Sequence, residues 1–300
     1  MALRWLLVLL ALAVPSWGTW DTCEGTCGLR PMAEEFGSGA GAVPGAWPGL
    51  ASIQDRRRTG SGHVCGGTLI SPGWVLTAAR CFRSSSRTWR VVLGATDLSD
   101  PGPEAQVRQV RRLREHRELD AALLELERPV ECSDYVQLGC MAEARLRPDE
   151  LTGCYIGGWG SMAGTAQDSR EVLQEAPVRL LDPKFCDSGG AAAASLRMCA
   201  EHSRGGSRTC QGDTGGPLVC RDPNSDQFRI VGVTSRGRGC LFTPTWHLNR
   251  WILQQLEPGR ASPEPPGTPG TPGTPGRSPV LLQFFTALRE LLRFLRDPTG

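Results

Sequence analysis

The stretch CQGDTGGPLVC, from Cys210 to Cys220, sets a glycine-rich turn before a short aliphatic run and closes both ends with cysteine. The same texture recurs outward from it, between Leu50 and about Leu256. Short runs rich in β-branched and aliphatic residues span Gly67 to Thr77, Trp89 to Leu93, Tyr155 to Gly160, Pro217 to Cys220 and Arg229 to Thr234, with turn residues between them. Many short strands separated by turn signals predict an all-β barrel or sandwich. One helix is predicted at the end of this region, from about Trp246 to Leu256, with Trp251, Ile252 and Leu256 on one side.

The chain has 300 residues, twelve of them cysteines. The cysteine count is even and no C-x-x-C pair occurs, which favours a disulfide framework over zinc sites and implies an oxidising compartment. The N-terminus agrees: Arg4 precedes an apolar run from Trp5 to Val14, followed by small Ser16 and Gly18, the pattern of a secretory signal over residues 1–18. That run is well short of the ~20 apolar residues of a spanning helix. A formal charge of +2, from 33 basic and 31 acidic side chains, argues against a nucleic-acid partner. Lys184 is the only lysine, so arginine supplies nearly all the positive charge. Asn224 and Asn249, the only asparagines, do not form N-x-[ST] sequons. His63, His202 and His247 show no metal-ligand spacing and read as ordinary loop or surface residues, so no metal and no cofactor is expected. A monomer is expected.

A segment over residues 19–35 carries Cys23 and Cys27, and the main domain is expected over residues 36–257. Residues 258–279 then change composition. They contain GTPGTPGTPG and almost nothing apolar, a semi-extended spacer whose three triplets are too few for a collagen helix. Residues 280–300 hold VLLQFFTALRELLRFLR. Here Leu281, Phe284, Phe285, Leu288, Leu291, Leu292 and Leu295 recur at helical spacing, with Arg289, Arg293 and Arg296 on the flank. Such a helix docks on its own domain or offers a basic amphipathic face to a partner or a lipid surface.

Five motifs in order carry a resemblance: GAWPGLASIQ (45–54), CGGTLISPGWVLTAARC (65–81), LDAALLEL around Asp120, GCYIGGWG (153–160) and CQGDTGGPLVC (210–220). Together they resemble the trypsin-like serine proteases over about residues 36–256. The resemblance implies two six-stranded antiparallel β-barrels, a cleft between them and a C-terminal helix. Within that family the chain looks most like the acrosins, which share a short cysteine-paired N-terminal segment ending near CGLR (27–30) and a proline-rich tail before a leucine-rich basic helix. That likeness implies the pairings Cys23–Cys132, Cys27–Cys140, Cys65–Cys81, Cys154–Cys220, Cys186–Cys199 and Cys210–Cys240. It also implies secretion or storage in the acrosomal vesicle.

The family cleaves peptides with a Ser–His–Asp triad. Its LTAAHC motif reads LTAARC here, so Arg80 stands where the general base belongs. A guanidinium stays protonated and accepts no proton at neutral pH. GDSGGP reads GDTGGP, placing a β-branched Thr214 at the nucleophile. Asp120 is retained and is expected to form an ion pair with Arg80. Gly212 and Thr214 supply the backbone donors of the oxyanion-hole position. The specificity-pocket base, six residues before the nucleophile, is Arg208 where tryptic members carry aspartate, and the pocket wall reads Ser235-Arg236-Gly237. LFTPTWHLNRWI follows Cys240 at once, so the family's PG-[IVF]-Y strand is expected to be missing. If His116 is the family's loop histidine, the loop before Asp120 is shortened as well. The activation bond falls at Glu35–Phe36, with no basic residue to cut after, leaving Asp213 without its expected amine partner.

Loss of the histidine or nucleophile alone costs about 10⁶ in turnover. The expected protein is therefore an inactive, acrosin-like homologue that works by binding; the alternative is an active acrosin-like serine endopeptidase. Arg56 to Arg58, and Arg108, Arg111, Arg112, Arg114 and Arg117, form two clusters expected largely on the surface of the first barrel. They are either solvated charge or an anion site, since arginine forks match sulfate bidentately. The resemblance to acrosins implies sulfated glycans or egg-coat glycoproteins as ligands in fertilisation.

Overall fold

The computed structural model describes residues 23, 27–28, 42–83, 88–143, 151–159, 171–182, 186, 197–202, 213–222, 225, 227–236 and 241–256. The expected signal, spacer and tail helix lie outside these residues.

Six strands close the first barrel in the order β1-β2-β3-β6-β5-β4: β1(Leu50–Asp55), β2(His63–Ser71), β3(Trp74–Thr77), β4(Trp89–Leu93), β5(Gln106–Glu115) and β6(Ala122–Leu126). The run from Gly67 to Thr77 is thus two strands. Pro72 and Gly73 turn between them, proline having no N–H to give a ladder. The turn's carbonyls are still used: Leu126 N–H donates to Gly73 O at 2.9 Å and Val130 N–H to Pro72 O at 2.9 Å. Ile53, Leu69, Val75, Leu76, Leu123 and Leu124 fill this barrel with no exposed surface.

The second barrel uses β7(Cys140–Met141), β8(Thr152–Gly158), β9(Gln174–Leu181), β10(Met198–His202), β11(Pro217–Arg221), β12(Phe228–Arg236) and β13(Leu241–Pro244). Six of these run β11-β8-β9-β10-β13-β12 and close through β11–β12, while the two-residue β7 adds in parallel to β12. The strand expected to be missing after Cys240 is present in short form. Leu241–Pro244 is itself β13, pairing Val233 with Thr243 and Thr234 with Phe242, and Phe242 is buried. Apolar side chains supply the strand even where the family's motif is absent.

A third apolar cluster welds the barrels, joining Trp47, Val92 and Leu98 to Trp159, Val219, Phe228 and Ile230. Helix α1(Asn249–Leu256) follows a 3-10 turn, Thr245–His247, and lays Ile252, with Trp251 and Leu256 beside it, on the first barrel's core. Disulfides Cys23–Cys132 and Cys27–Cys140 tie the N-terminal segment to the barrels; Cys65–Cys81, Cys154–Cys220 and Cys186–Cys199 lie within them. Cys210 and Cys240 fall outside the described residues.

The barrels meet most closely where β2 passes the turn before β11. Gly66 N–H donates to Thr214 O at 2.9 Å, and a Cβ at Gly66 would lie 2.9 Å from Gly216 Cα and 3.0 Å from its N. Both partners are backbone, so neither swings aside. Gly66→Ala is expected to cost about 1–3 kcal/mol, read as a fall of several degrees in the protein's Tm.

Candidate functional site

The turn that carries Arg80 is a 3-10 element, Ala79–Phe82, pinned by the Cys65–Cys81 disulfide. From it Arg80 reaches Asp120, which lies just before β6. The Arg80 backbone N–H donates to Asp120 Oδ1 at 2.9 Å, and its Nε–H donates to Oδ2 in a very short ion pair. Ser235 Oγ on β12 donates to the same Oδ2 at 2.6 Å, and Thr243 Oγ1 on β13 donates to the Asp120 carbonyl at 3.3 Å. Asp120 therefore gathers donors from both barrels. Ser235, expected in the pocket wall, spends its hydroxyl on this carboxylate.

Thr214 sits in a tight turn, Asp213 to Gly216, stitched by Gly216 N–H to Asp213 O at 2.9 Å and Gly215 N–H to Thr234 O at 2.7 Å. Gly215 has φ +85°, and a Cβ there would lie 2.2 Å from Thr77 Oγ1. Only glycine fits that position. The Thr214 carbonyl faces Cys81 Sγ at 3.8 Å, so the nucleophile position abuts the turn bearing Arg80. Arg80, Asp120, Thr214 and Ser235 thus come together. Arg236 continues β12 beyond Ser235, and nothing is described of its side chain. Arg208, Gly212, Gly237 and the Glu35–Phe36 bond lie outside the described residues.

Asp213 corrects an expectation. It is buried and not without a partner: its Oδ2 accepts the Trp159 backbone N–H at 2.6 Å and lies 3.1 Å from His63 Nε2. The ring N–H does not aim directly at that oxygen, and the contact becomes an ion pair when the imidazole is protonated. His63 Nδ1 lies 2.8 Å from Ser52 Oγ, and the ring packs beside Trp159 at 5.6 Å. His63 is therefore neither a free loop residue nor a surface one. A carboxylate taken out of water needs a partner, and here the Trp159 N–H just after β8 supplies it, with His63 of β2 close by.

His116 closes the short loop before Asp120. Its Nδ1 accepts Leu119 N–H at 3.0 Å, and its ring meets Trp251 edge-on at 5.2 Å. Among the described residues no group of His, Cys, Asp and Glu could hold a metal.

The sequence matches the Trypsin family over residues 36–252. The chain belongs to that family. It is 35% identical to human transmembrane protease serine 5 over 71% of this chain and 48% of that protein. It is 34% identical to rat transmembrane protease serine 9 over 78% of this chain and 24% of that protein. The chain thus spans at most about half the length of these curated relatives. Among the described residues no helix is long and apolar enough to cross a membrane.

The Asp213 cluster yields a stability test. His63→Leu removes the contact and leaves a buried carboxylate with the Trp159 N–H. Equilibrium urea unfolding is expected to show a loss of about 1–3 kcal/mol. Unchanged stability would mean that Trp159 N–H satisfies Asp213 alone.

Proposed function

We propose that this trypsin-family chain is a secreted, catalytically inactive protease homologue that acts by binding. The single observation that carries this reading is Arg80. Its Nε is committed to Asp120, and no titratable base occupies the position from which the nucleophile would be deprotonated. Among the described residues the Thr214 hydroxyl makes no hydrogen bond to a base, and Thr214 is not an N-terminal residue, the setting in which a threonine hydroxyl is activated. Residual catalysis from backbone donors and binding alone is only about 10³–10⁴ over water. The sequence adds Arg208, which would repel a basic side chain. The proline-rich tail and CGLR segment support an acrosin-like setting, with secretion or acrosomal storage and a role in fertilisation.

The binding surface in this reading is the arginine-rich end of the first barrel. β1 runs antiparallel to β4, and β4 to β5, pairing Asp55 with Trp89 and Arg90 with Gln109. The β1–β2 turn and the C-terminal half of β5 therefore project at the same end. Arg56, Arg57 and Arg58 are exposed there, as are Arg111, Arg112, Arg114 and Arg117. Arg108 is a correction to the expected cluster. It is buried, donating from Nε to Pro129 O at 3.1 Å, from Nη1 to Val107 O at 3.1 Å and from Nη2 to Gln106 Oε1 at 2.7 Å. Burial, then the nearby Arg128, holds its pKa below the usual arginine value. Arg111 and Arg112 share Glu125 at 3.4 and 3.5 Å, and Arg57 holds Asp55 at 3.4 Å. Seven exposed guanidiniums against four carboxylates, Asp55, Glu125 and the exposed Glu115 and Glu118, leave an excess positive field that favours sulfated glycans.

Two measurements test the reading. Arg80→His with Thr214→Ser is expected to restore no cleavage after Arg or Lys, and the unaltered protein should resist a fluorophosphonate probe. Robust tryptic cleavage by the double variant overturns the expectation that the remaining departures block activity, and labelling of the unaltered chain overturns inactivity.

Retention on heparin tests the glycan surface. Arg111, Arg112, Arg114 and Arg117 changed together to serine should lower the eluting salt, whereas a chain stopped at Glu257 should elute unchanged. Binding should weaken steeply with salt, as the Debye length falls from ~10 Å at 0.1 M to ~3 Å at 1 M. No retention at 0.1 M salt, or loss only on truncation, means that the clusters are solvated charge.

A further inference from the structure

We infer that the cleft between the barrels is a receptor for an acidic peptide, with Arg80 binding a carboxylate side chain. Arg80 is held on one edge only. Its Nε–H and backbone N–H are spent on Asp120, while Nη1 and Nη2 have no hydrogen-bond partner among the described residues. The side chain is 27% exposed, so these N–H groups are open to a ligand without being free in bulk water. The Cys65–Cys81 bond and the Asp120 contact fix the guanidinium beforehand, which lowers the ordering cost that binding would otherwise carry. A planar fork with open N–H groups matches a carboxylate.

The surroundings suit an anion. Both carboxylates of the site are committed, Asp120 to Arg80 and Ser235, and Asp213 to Trp159 and His63. The Thr214 carbonyl lies beside the Arg80 turn, 3.8 Å from Cys81 Sγ.

A peptide is favoured over a glycan by the strand next to Arg80. The pairing of β12 with β13 passes from Thr234↔Phe242 to Arg236↔Leu241 and skips Ser235. A skipped residue at a bulge leaves its main chain out of that ladder. An extended peptide would use that main chain while its Asp or Glu side chain reaches the guanidinium. This site is separate from the arginine surface of the first barrel. It also stands apart from the question of residual catalysis, because its readout is binding.

The experiment uses the full secreted chain and two amide-capped fluorescent peptide mixtures, X₄-Glu-X₄ and X₄-Gln-X₄, X being uncharged residues. The Glu mixture is expected to bind about tenfold more tightly, the size of one charge-assisted hydrogen bond. Arg80→Gln should abolish the preference and Arg80→Lys should keep part of it. The four-arginine serine variant of β5 and its following loop should keep all of it. Phenylglyoxal labelling of Arg80 in the unaltered protein, read by mass spectrometry, should be suppressed by the Glu mixture and not by the Gln mixture, which covers the case in which Arg80→Gln does not fold. Equal binding of the two mixtures, a preference that survives Arg80→Gln, or a preference lost only in the β5 variant overturns the proposal.

Discussion

The Asp120 carboxylate is where the two barrels meet in polar terms. It accepts two N–H groups from Arg80 of the first barrel and the Ser235 hydroxyl from the second, while its carbonyl takes the Thr243 hydroxyl. Hydrogen bonds to a charged group contribute roughly 1.5–3 kcal/mol each. Apolar packing around Trp47, Trp159 and Ile230 holds the barrels together without direction. Asp120 adds direction, fixing how β12 faces the turn with Arg80. Here that carboxylate orients a guanidinium in a fixed ion pair.

The second buried acid follows the same logic. Asp213 stands beside the nucleophile position and is shielded from water, so an unpaired charge there would be costly. Trp159 N–H and His63 meet it, with Ser52 on the far side of the imidazole. The close fit of Gly158, where a Cβ would lie 2.7 Å from Asp213 Oδ2, shows how tightly this acid is enclosed. Each carboxylate of the former machinery is satisfied by residues within the fold. Neither requires a processed chain end or a catalytic imidazole for the structure to stand.

Much of this was legible in the sequence because motifs report local geometry. Glycines of GDTGGP mark a turn that only glycine allows, and aliphatic runs between turn residues mark short strands. The Arg80–Asp120 pair was readable because both positions lie inside such motifs. His63 was not readable, since a single histidine entering a strand carries no periodic signal, and its partner lies 150 positions away. Arg108 was misplaced for a related reason. The expected cluster counted charges along β5, but the strand alternates faces up to a bulge between Val110 and Arg112, and Arg108 falls on the inward side of that count. The strand Leu241–Pro244 was hidden because its usual motif is gone and only Phe242 and its neighbours on β12 signal the pairing.

The changes at positions 80 and 214 are not equivalent for the fold. Threonine for serine adds one methyl to a turn stitched by the bonds Gly216 N–H to Asp213 O and Gly215 N–H to Thr234 O. Arginine for histidine inserts a permanent cation into a partly enclosed cleft, and that is tolerable because Asp120 is already there to receive it. Once in place, the arginine makes the aspartate a structural need, since losing either partner strands the other's charge in low dielectric. Asp120 is thus retained in a chain with no imidazole to orient. Its carboxylate is spent on the cation at position 80.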